Sequence, residues 1–208
     1  MKMKRKVITA LLAATMVASL AVGCGNKGGD SKSDSSKSSS SDEITIGFSQ
    51  VGAESDWRTA NSESMKSTFS EKNGYKLIFD DAQQKQENQI TAIRNFIQQE
   101  VDYILLAPVT ETGWDTVLQE AKDADIPVII VDRMVDVSDD SLYTTWIGTD
   151  SLLEGRKAAE WLNAYTTAKG IDAKDVNIVD IQGTIGSTAQ IGRSKGCLLY
   201  TSDAADDL

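Results

Sequence analysis

No histidine occurs anywhere in the 208 residues. That excludes His-based catalytic triads and His-ligated metal sites, and it removes the usual general base near neutral pH. Cysteine occurs only at Cys24 and Cys197, so there is no disulfide framework. Positive charge is the minority: 21 Lys and Arg face 31 Asp and Glu, for a formal net charge of -10. An acidic chain without a basic patch is a poor partner for nucleic acid. No metal or cofactor is expected. The apolar run Val7 to Val22 is too short to span a bilayer comfortably.

What is present begins with an ordered series of segments at the amino terminus. Lys2, Lys4, Arg5 and Lys6 precede the apolar run, which ends in Ala21-Val22-Gly23-Cys24. A charged start, a short apolar stretch and small residues at its end describe an export signal. The segment resembles the cleavage box of bacterial lipoproteins, whose cysteine thiol takes a diacylglycerol and becomes the first mature residue. Ala21 departs from that box, which usually carries Leu, Val or Ile there. An ordinary secretory signal is the alternative. Cleavage before Cys24 removes four positive charges and no negative ones, which takes the net charge to -14. Gly25 to Asp42 contains Gly, Ser, Lys, Asp and Asn and no large apolar residue. It cannot bury surface to offset its ordering entropy and is expected to be a flexible tether. The expected order is therefore signal (1–23), lipid-anchored linker (24–43) and folded domain. The lipid supplies membrane affinity at the outer face of the cytoplasmic membrane.

Beyond the linker, strand and helix patterns alternate. Ile44 to Ser49 predicts a strand. Trp57 to Lys72 predicts a helix with Met65 and Phe69 on one face, stopped by Asn73-Gly74. Tyr75 to Phe79 predicts a second strand. Ile90, Ile93, Phe96 and Ile97 follow a helical period. Tyr103 to Ala107 is almost wholly apolar, as for a strand buried on both faces, and Pro108 ends it. Thr112 to Ala124 predicts a helix with Val117, Leu118 and Ala121 inward. Pro127 to Val131 and Leu142 to Ile147 predict further strands. A second unit then begins, with helix Leu152 to Thr167, strand Asn177 to Ile181 and a loop at Gly183 to Gly186. Repeated βα units with short loops imply an α/β, doubly wound parallel sheet.

Two polar clusters follow strands of that sheet. Glu54-Ser55-Asp56-Trp57-Arg58 comes after the first, and Asp132-Arg133 directly after Val128 to Val131. In open parallel sheets, ligands bind beyond the carboxyl ends of the strands. An aromatic face beside guanidiniums and carboxylates suits a sugar, which has apolar C–H faces and a ring of hydroxyls. The bland alternative is a core tryptophan and a surface ion pair. The polar run Gln83 to Gln89 reads as a solvated helix start, and Trp114 as packing. Gly183 to Gly186 lacks the Lys-Ser/Thr of a phosphate loop and the spacing of a dinucleotide fingerprint.

Phe48-Ser49-Gln50-Val51-Gly52, the Glu54 to Arg58 loop, Gln83 to Gln89 and Ala107-Pro108-Val109 with Gly113-Trp114 carry a resemblance. Ile126-Pro127-Val128 leading to Asp132-Arg133, and Gln182-Gly183-Thr184, continue it. From about Ile44 to Gly196 the chain resembles the galactofuranose-binding periplasmic proteins, within the ribose-type sugar-binding proteins of ABC importers. The resemblance implies a type I periplasmic-binding-protein fold, with two lobes clamping a monosaccharide and no catalysis. The first lobe would be 44–150, and 151–196 the start of the second. It implies ligand contacts from Glu54, Ser55, Asp56, Trp57, Arg58, Asp132 and Arg133, joined by Arg193 of the second lobe. It also implies a monomer serving an ABC permease and ATPase.

Two other functions use similar parts. A sugar hydrolase could employ Asp56 and Asp132 as paired carboxylates. Each has an arginine close in sequence, which favours the ionised form and makes a poor general acid. A sensory module could present bound sugar to a membrane receptor kinase with the same fold and anchor. A sugar-responsive repressor is disfavoured, because a signal and a Ser-rich linker stand where a DNA-binding headpiece would be. At the other end, the resemblance stops after Gly196. Cys197 to Leu208 reads instead like the translation of a transposon sequencing adapter, codon by codon through Asp206. The expectation is a non-native tail and a gene that continues into the second lobe.

Overall fold

Five parallel strands form one sheet in the order β2-β1-β3-β4-β5. The computed structural model describes the backbone of Glu43–Asp206 and the side chains of 43–198. Residues 1–42, with the signal, Cys24 and the linker, lie outside the described residues, as do Asp207 and Leu208. The elements are β1 (Ile44–Gln50), α1 (Asp56–Thr68), β2 (Tyr75–Asp81), α2 (Gln86–Gln98), β3 (Tyr103–Leu106), α3 (Asp115–Asp123), β4 (Val128–Asp132) and β5 (Thr145–Gly148). Two longer helices follow, α4 (Ser151–Lys169) and α5 (Thr188–Asp206).

Alternation along the strands divides the core into two layers. On one face Ile104, Leu106, Val128 and Ile130 pack against Ala92, Ile93 and Phe96 of α2 and Val117, Leu118 and Ala121 of α3. On the other, Ile46, Phe48, Leu105, Ala107 and Val131 are covered by Met65 and Phe69, on and just beyond α1. Helices on both faces are what the doubly wound reading requires. β1 is a seam: a Cβ on Gly47 would sit 2.5 Å from the Phe96 ring, so α2 can lie close only because that side chain is missing. The order reverses at β1, which pairs with β2 on one side and β3 on the other. That reversal opens a crevice at the carboxyl ends of β1 and β3.

Several boundaries differ from expectation. α1 ends at Thr68, not Lys72. Asn73 Nδ2 donates to the carbonyls of Ser67 and Thr68 and so takes over the helix end, while the Phe69 ring turns edge-on to Tyr75 at 5.4 Å. A 3-10 turn at Glu71–Asn73 follows, closed by Gly74 at φ +85°. α3 starts at Asp115, not Thr112, because Gly113 is left-handed and Trp114 Nε1 bonds back to the Thr110 carbonyl at 2.8 Å. Leu142 lies buried in a 3-10 turn, and β5 begins at Thr145. The expected strand Asn177 to Ile181 is irregular instead, with Ile178, Val179 and Ile181 exposed. A strand needs a neighbour for its ladder hydrogen bonds, and no described strand lies beside this one.

α4 and α5 pack backbone to backbone. A Cβ on Gly155 would collide with the Arg193 carbonyl, and one on Gly196 with the Leu152 carbonyl. The segment joins the sheet through a few polar ties: Glu111 N donates to the Gly186 carbonyl at 2.9 Å and Met134 N to Thr188 Oγ1 at 2.9 Å. No described helix is long and apolar enough to cross a membrane.

Candidate sugar-binding rim

Three strand ends and one helix start converge. The β1–α1 loop brings Glu54 to the rim, and Ser55 caps α1: its Oγ accepts from Arg58 N at 3.2 Å. A serine in extended conformation before a helix satisfies one of the otherwise unpaired first-turn N–H groups. The cap directs Arg58 inward. Its side chain is 96% buried and the guanidinium makes three hydrogen bonds: Nε to Glu54 Oε1 at 3.1 Å, Nη1 to Gln50 Oε1 at 3.2 Å and Nη2 to Asp132 Oδ2 at 2.8 Å. Charge-assisted bonds of this kind are stronger than neutral ones.

Asp132 closes β4 in an unusual conformation, with φ +65°. Left-handed backbone is uncommon for residues other than glycine, though aspartate and asparagine tolerate it best. The turn is held by Trp146 Nε1, which donates to the Asp132 carbonyl at 3.2 Å, and Gly148 leaves room for that carbonyl. It sends the Asp132 carboxylate across to Arg58 and starts Arg133 into the next loop.

Arg133 is the least satisfied polar group of the rim. Its side chain is 89% buried; Nη1 donates to the Val109 carbonyl at 3.0 Å, and Nη2 lies 3.9 Å from Glu54 Oε1 and 3.5 Å from Thr184 Oγ1. Its Nε is buried without a hydrogen-bond partner. Burial, and after it the positive charge of Arg58, draw the Arg133 pKa below the ordinary arginine value, while Asp132 and Glu54 oppose the shift. A buried donor left unpaired costs about 1–3 kcal/mol, more when charged.

Trp57 is 56% exposed beside this network, and the Arg58 guanidinium carbon lies 4.9 Å from its ring centroid. Asp56 is exposed in the first turn of α1, where its charge complements the helix dipole. Arg193 comes from α5, is bound to Glu154 through Nε at 2.8 Å, and lines the same cavity as Arg133, Gln182, Thr184 and Gln190. The structure thus gathers Glu54, Arg58, Asp132 and Arg133 into one network, with Trp57 beside it and Arg193 across the cavity. Ser55 and Arg58 are committed to internal bonds.

Two buried amides escaped the reading of the sequence. Gln50 shares the inward face of β1 with Ile46 and Phe48 and has no exposed surface. Gln89, read as part of a solvated helix start, is also fully buried. Its Nε2 donates to the Ala107 carbonyl at 2.7 Å, and its Oε1 accepts from Val109 N at 2.8 Å, so it ties α2 to the end of β3. The signal for both is a polar residue at an apolar-face position, which must find partners once buried. Trp114 is packing, as expected: it is fully buried in the α3 layer.

Residues 46–205 match the family described as periplasmic binding protein domain. The chain belongs to that family. It is 50% identical over 153 residues to the galactofuranose-binding protein YtfQ of Escherichia coli K12, covering 74% of this chain and 46% of that protein. Among solved structures, it resembles the periplasmic binding component of the arabinose ABC transporter from Shewanella sp. ANA-3, bound to alpha and beta-L-arabinofuranose. That match has a TM-score of 0.68 and 50% identity, and covers 76% of this chain and 51% of the other. A more distant match, at TM-score 0.65 and 26% identity, is the fructose-binding periplasmic domain of a hybrid two-component system; it covers 77% of this chain and 50% of that one. The chain spans about half the length of the relatives it matches. These relatives are named as binding proteins, and the family is one of binding proteins, not enzymes, which sets the hydrolase reading aside.

Proposed function

We propose that this rim is one wall of a monosaccharide site, in an extracytoplasmic protein that delivers a furanose-form sugar to the permease and ATPase of an ABC importer. The observation that carries the reading is Arg133. Its buried, unpartnered Nε lies in a network with the Glu54 and Asp132 carboxylates, at the carboxyl ends of β1 and β4. A sugar hydroxyl both accepts and donates, so it can serve a guanidinium and a carboxylate at once. Trp57 offers an exposed ring to a C–H face, and Arg193 meets the sugar from the other side of the cavity. Asp56 contributes at the rim. The relatives that name furanose sugars support the ring form.

Thermal-shift screening of the intact protein against galactose, arabinose, fructose and ribose tests this directly. A ligand at a hundred times its dissociation constant adds about 2.7 kcal/mol to stability. A rise in melting temperature with at least one of these sugars is expected; no rise with any of them overturns the reading. Cys24 is proposed as the lipid anchor. Cys24→Ala should move the protein from the membrane to the soluble fraction, and retention of the mutant on membranes after signal cleavage would reject it.

The match to a two-component receptor domain favours a second reading, in which bound sugar is presented to a membrane kinase. Genes beside this one separate the two: a permease and ATPase pair for import, a histidine kinase for sensing.

A further inference from the structure

Gln50 is placed where it cannot touch a ligand, yet every hydrogen-bonding position of its amide is used. Its Oε1 accepts from Val51 N at 3.0 Å and from Arg58 Nη1 at 3.2 Å. Its Nε2 donates to Asn61 Oδ1 at 2.8 Å and Ser62 Oγ at 3.1 Å. A glutamine amide has two donors and two acceptor sites, and all four are satisfied. The amide therefore has one orientation, with oxygen toward Arg58 and nitrogen toward α1.

We propose that Gln50 is a positioning residue for the sugar site: it fixes the Arg58 guanidinium, which in turn sets the Glu54 and Asp132 carboxylates and backs the Trp57 ring. This rests on the sugar-site reading above. Burial favours positioning over contact for Arg58 as well: its side chain is 4% exposed, and three of its five N–H groups serve Glu54, Gln50 and Asp132. A guanidinium held on both sides by carboxylates and behind by a neutral amide acts as a rigid spacer. It holds the two carboxylates in place on the rim and offsets one of their two negative charges. Preorganised polar groups of this kind need a supporting layer with locked geometry.

Two substitutions separate positioning from packing. Gln50→Met keeps the volume and removes the acceptor for Arg58 and Val51 N together with the two donor bonds to Asn61 and Ser62. Gln50→Glu keeps the acceptor for Arg58, gives up the same two donor bonds to Asn61 and Ser62, and adds a negative charge. A residue that merely fills space tolerates Met and not Glu; a positioning residue shows the reverse. Sugar affinity of the intact protein should fall about tenfold in Gln50→Met, the scale of one charge-assisted bond, and stay within a few-fold in Gln50→Glu. Trp57 fluorescence, isolated by difference from Trp57→Phe, reports where the guanidinium sits, and it should change in Gln50→Met alone. Wild-type affinity and an unaltered Trp57 signal in Gln50→Met would overturn the proposal. If Gln50→Met does not fold, a folded Gln50→Glu protein decides: retained affinity supports the role and lost affinity overturns it. If the unaltered protein binds none of the sugars, the site reading fails, and the Trp57 signal alone then tests the hold of Gln50 on Arg58.

Discussion

The sheet unit through Gly148 and the segment from Ser151 onward are held together differently. In the sheet unit, buried side chains from strands and helices interlock on both faces, and fully buried amides tie loop ends to the core. In the later segment, two helices touch through glycines while Trp161, Tyr165, Val179 and Ile181 are exposed. The proposed site draws Glu54, Asp132 and Arg133 from the first region, and Thr184 and Arg193 from the second. The sheet unit reaches the cavity through Arg133, and the later segment lines the rest of it from a helix pair joined to the sheet by a few polar ties.

The largest way to break this contrast is in the core. Phe96→Ala removes the ring that covers Gly47 and should cost about 3–5 kcal/mol in urea unfolding. Trp161→Ala, at an exposed position, should cost far less; equal losses would deny that the two regions differ. Gly155→Val is the matching break in the later segment. Its added side chain meets the Arg193 backbone, so α4 and α5 must separate. Hydrogen exchange should accelerate in those helices while the sheet amides stay protected. Acceleration across the whole chain would show the two regions to be one cooperative unit.

Gln89→Leu comes next. It strands the Val109 N–H and the Ala107 carbonyl and should cost about 1–3 kcal/mol in melting or urea experiments. A neutral result would mean that the loops relax to other partners. The smallest effect is a gain. Asp80 stands beside Ser49 in the β1–β2 register, its Oδ1 buried without a partner. Burial first, and Asp81 second, raise its pKa above the usual value of 3.8. An acid whose folded-state pKa is raised favours the fold at low pH, and that contribution is lost as pH rises through the raised value. Asp80→Asn should therefore raise the melting temperature at neutral pH, with the gain shrinking as pH falls through the raised value toward the ordinary 3.8. A melting temperature that drops at pH 7 would contradict this sign.

Much of the fold was legible because β strands with apolar runs and helices with one apolar face leave plain patterns. β3 and β4 are near-continuous hydrophobic runs, and Val117, Leu118 and Ala121 face inward as their spacing implies. What escaped depended on contacts distant in sequence. α1 stops early because Asn73 reaches back to its last carbonyls, and Asn177 to Ile181 is apolar enough for a strand but has no described neighbour. The candidate rim was legible as a set of residue types at strand ends. Their division of labour was not. Nothing in the Glu54 to Arg58 run says that Arg58 turns inward while Trp57 remains exposed; that follows from the Ser55 cap and from an acceptor at Gln50.

The central claim is that Arg133 makes the decisive contact with a sugar, and calorimetric titration tests it most directly. Intact wild-type protein and Arg133→Ala are each titrated with the sugar that gives the largest thermal shift. A hydrogen bond to a charged group contributes about 1.5–3 kcal/mol, so losing at least one should weaken binding about tenfold to a hundredfold or abolish it. The unfolding transition of the variant should remain cooperative. Unchanged affinity in a folded Arg133→Ala protein would contradict the account and move the site away from this rim.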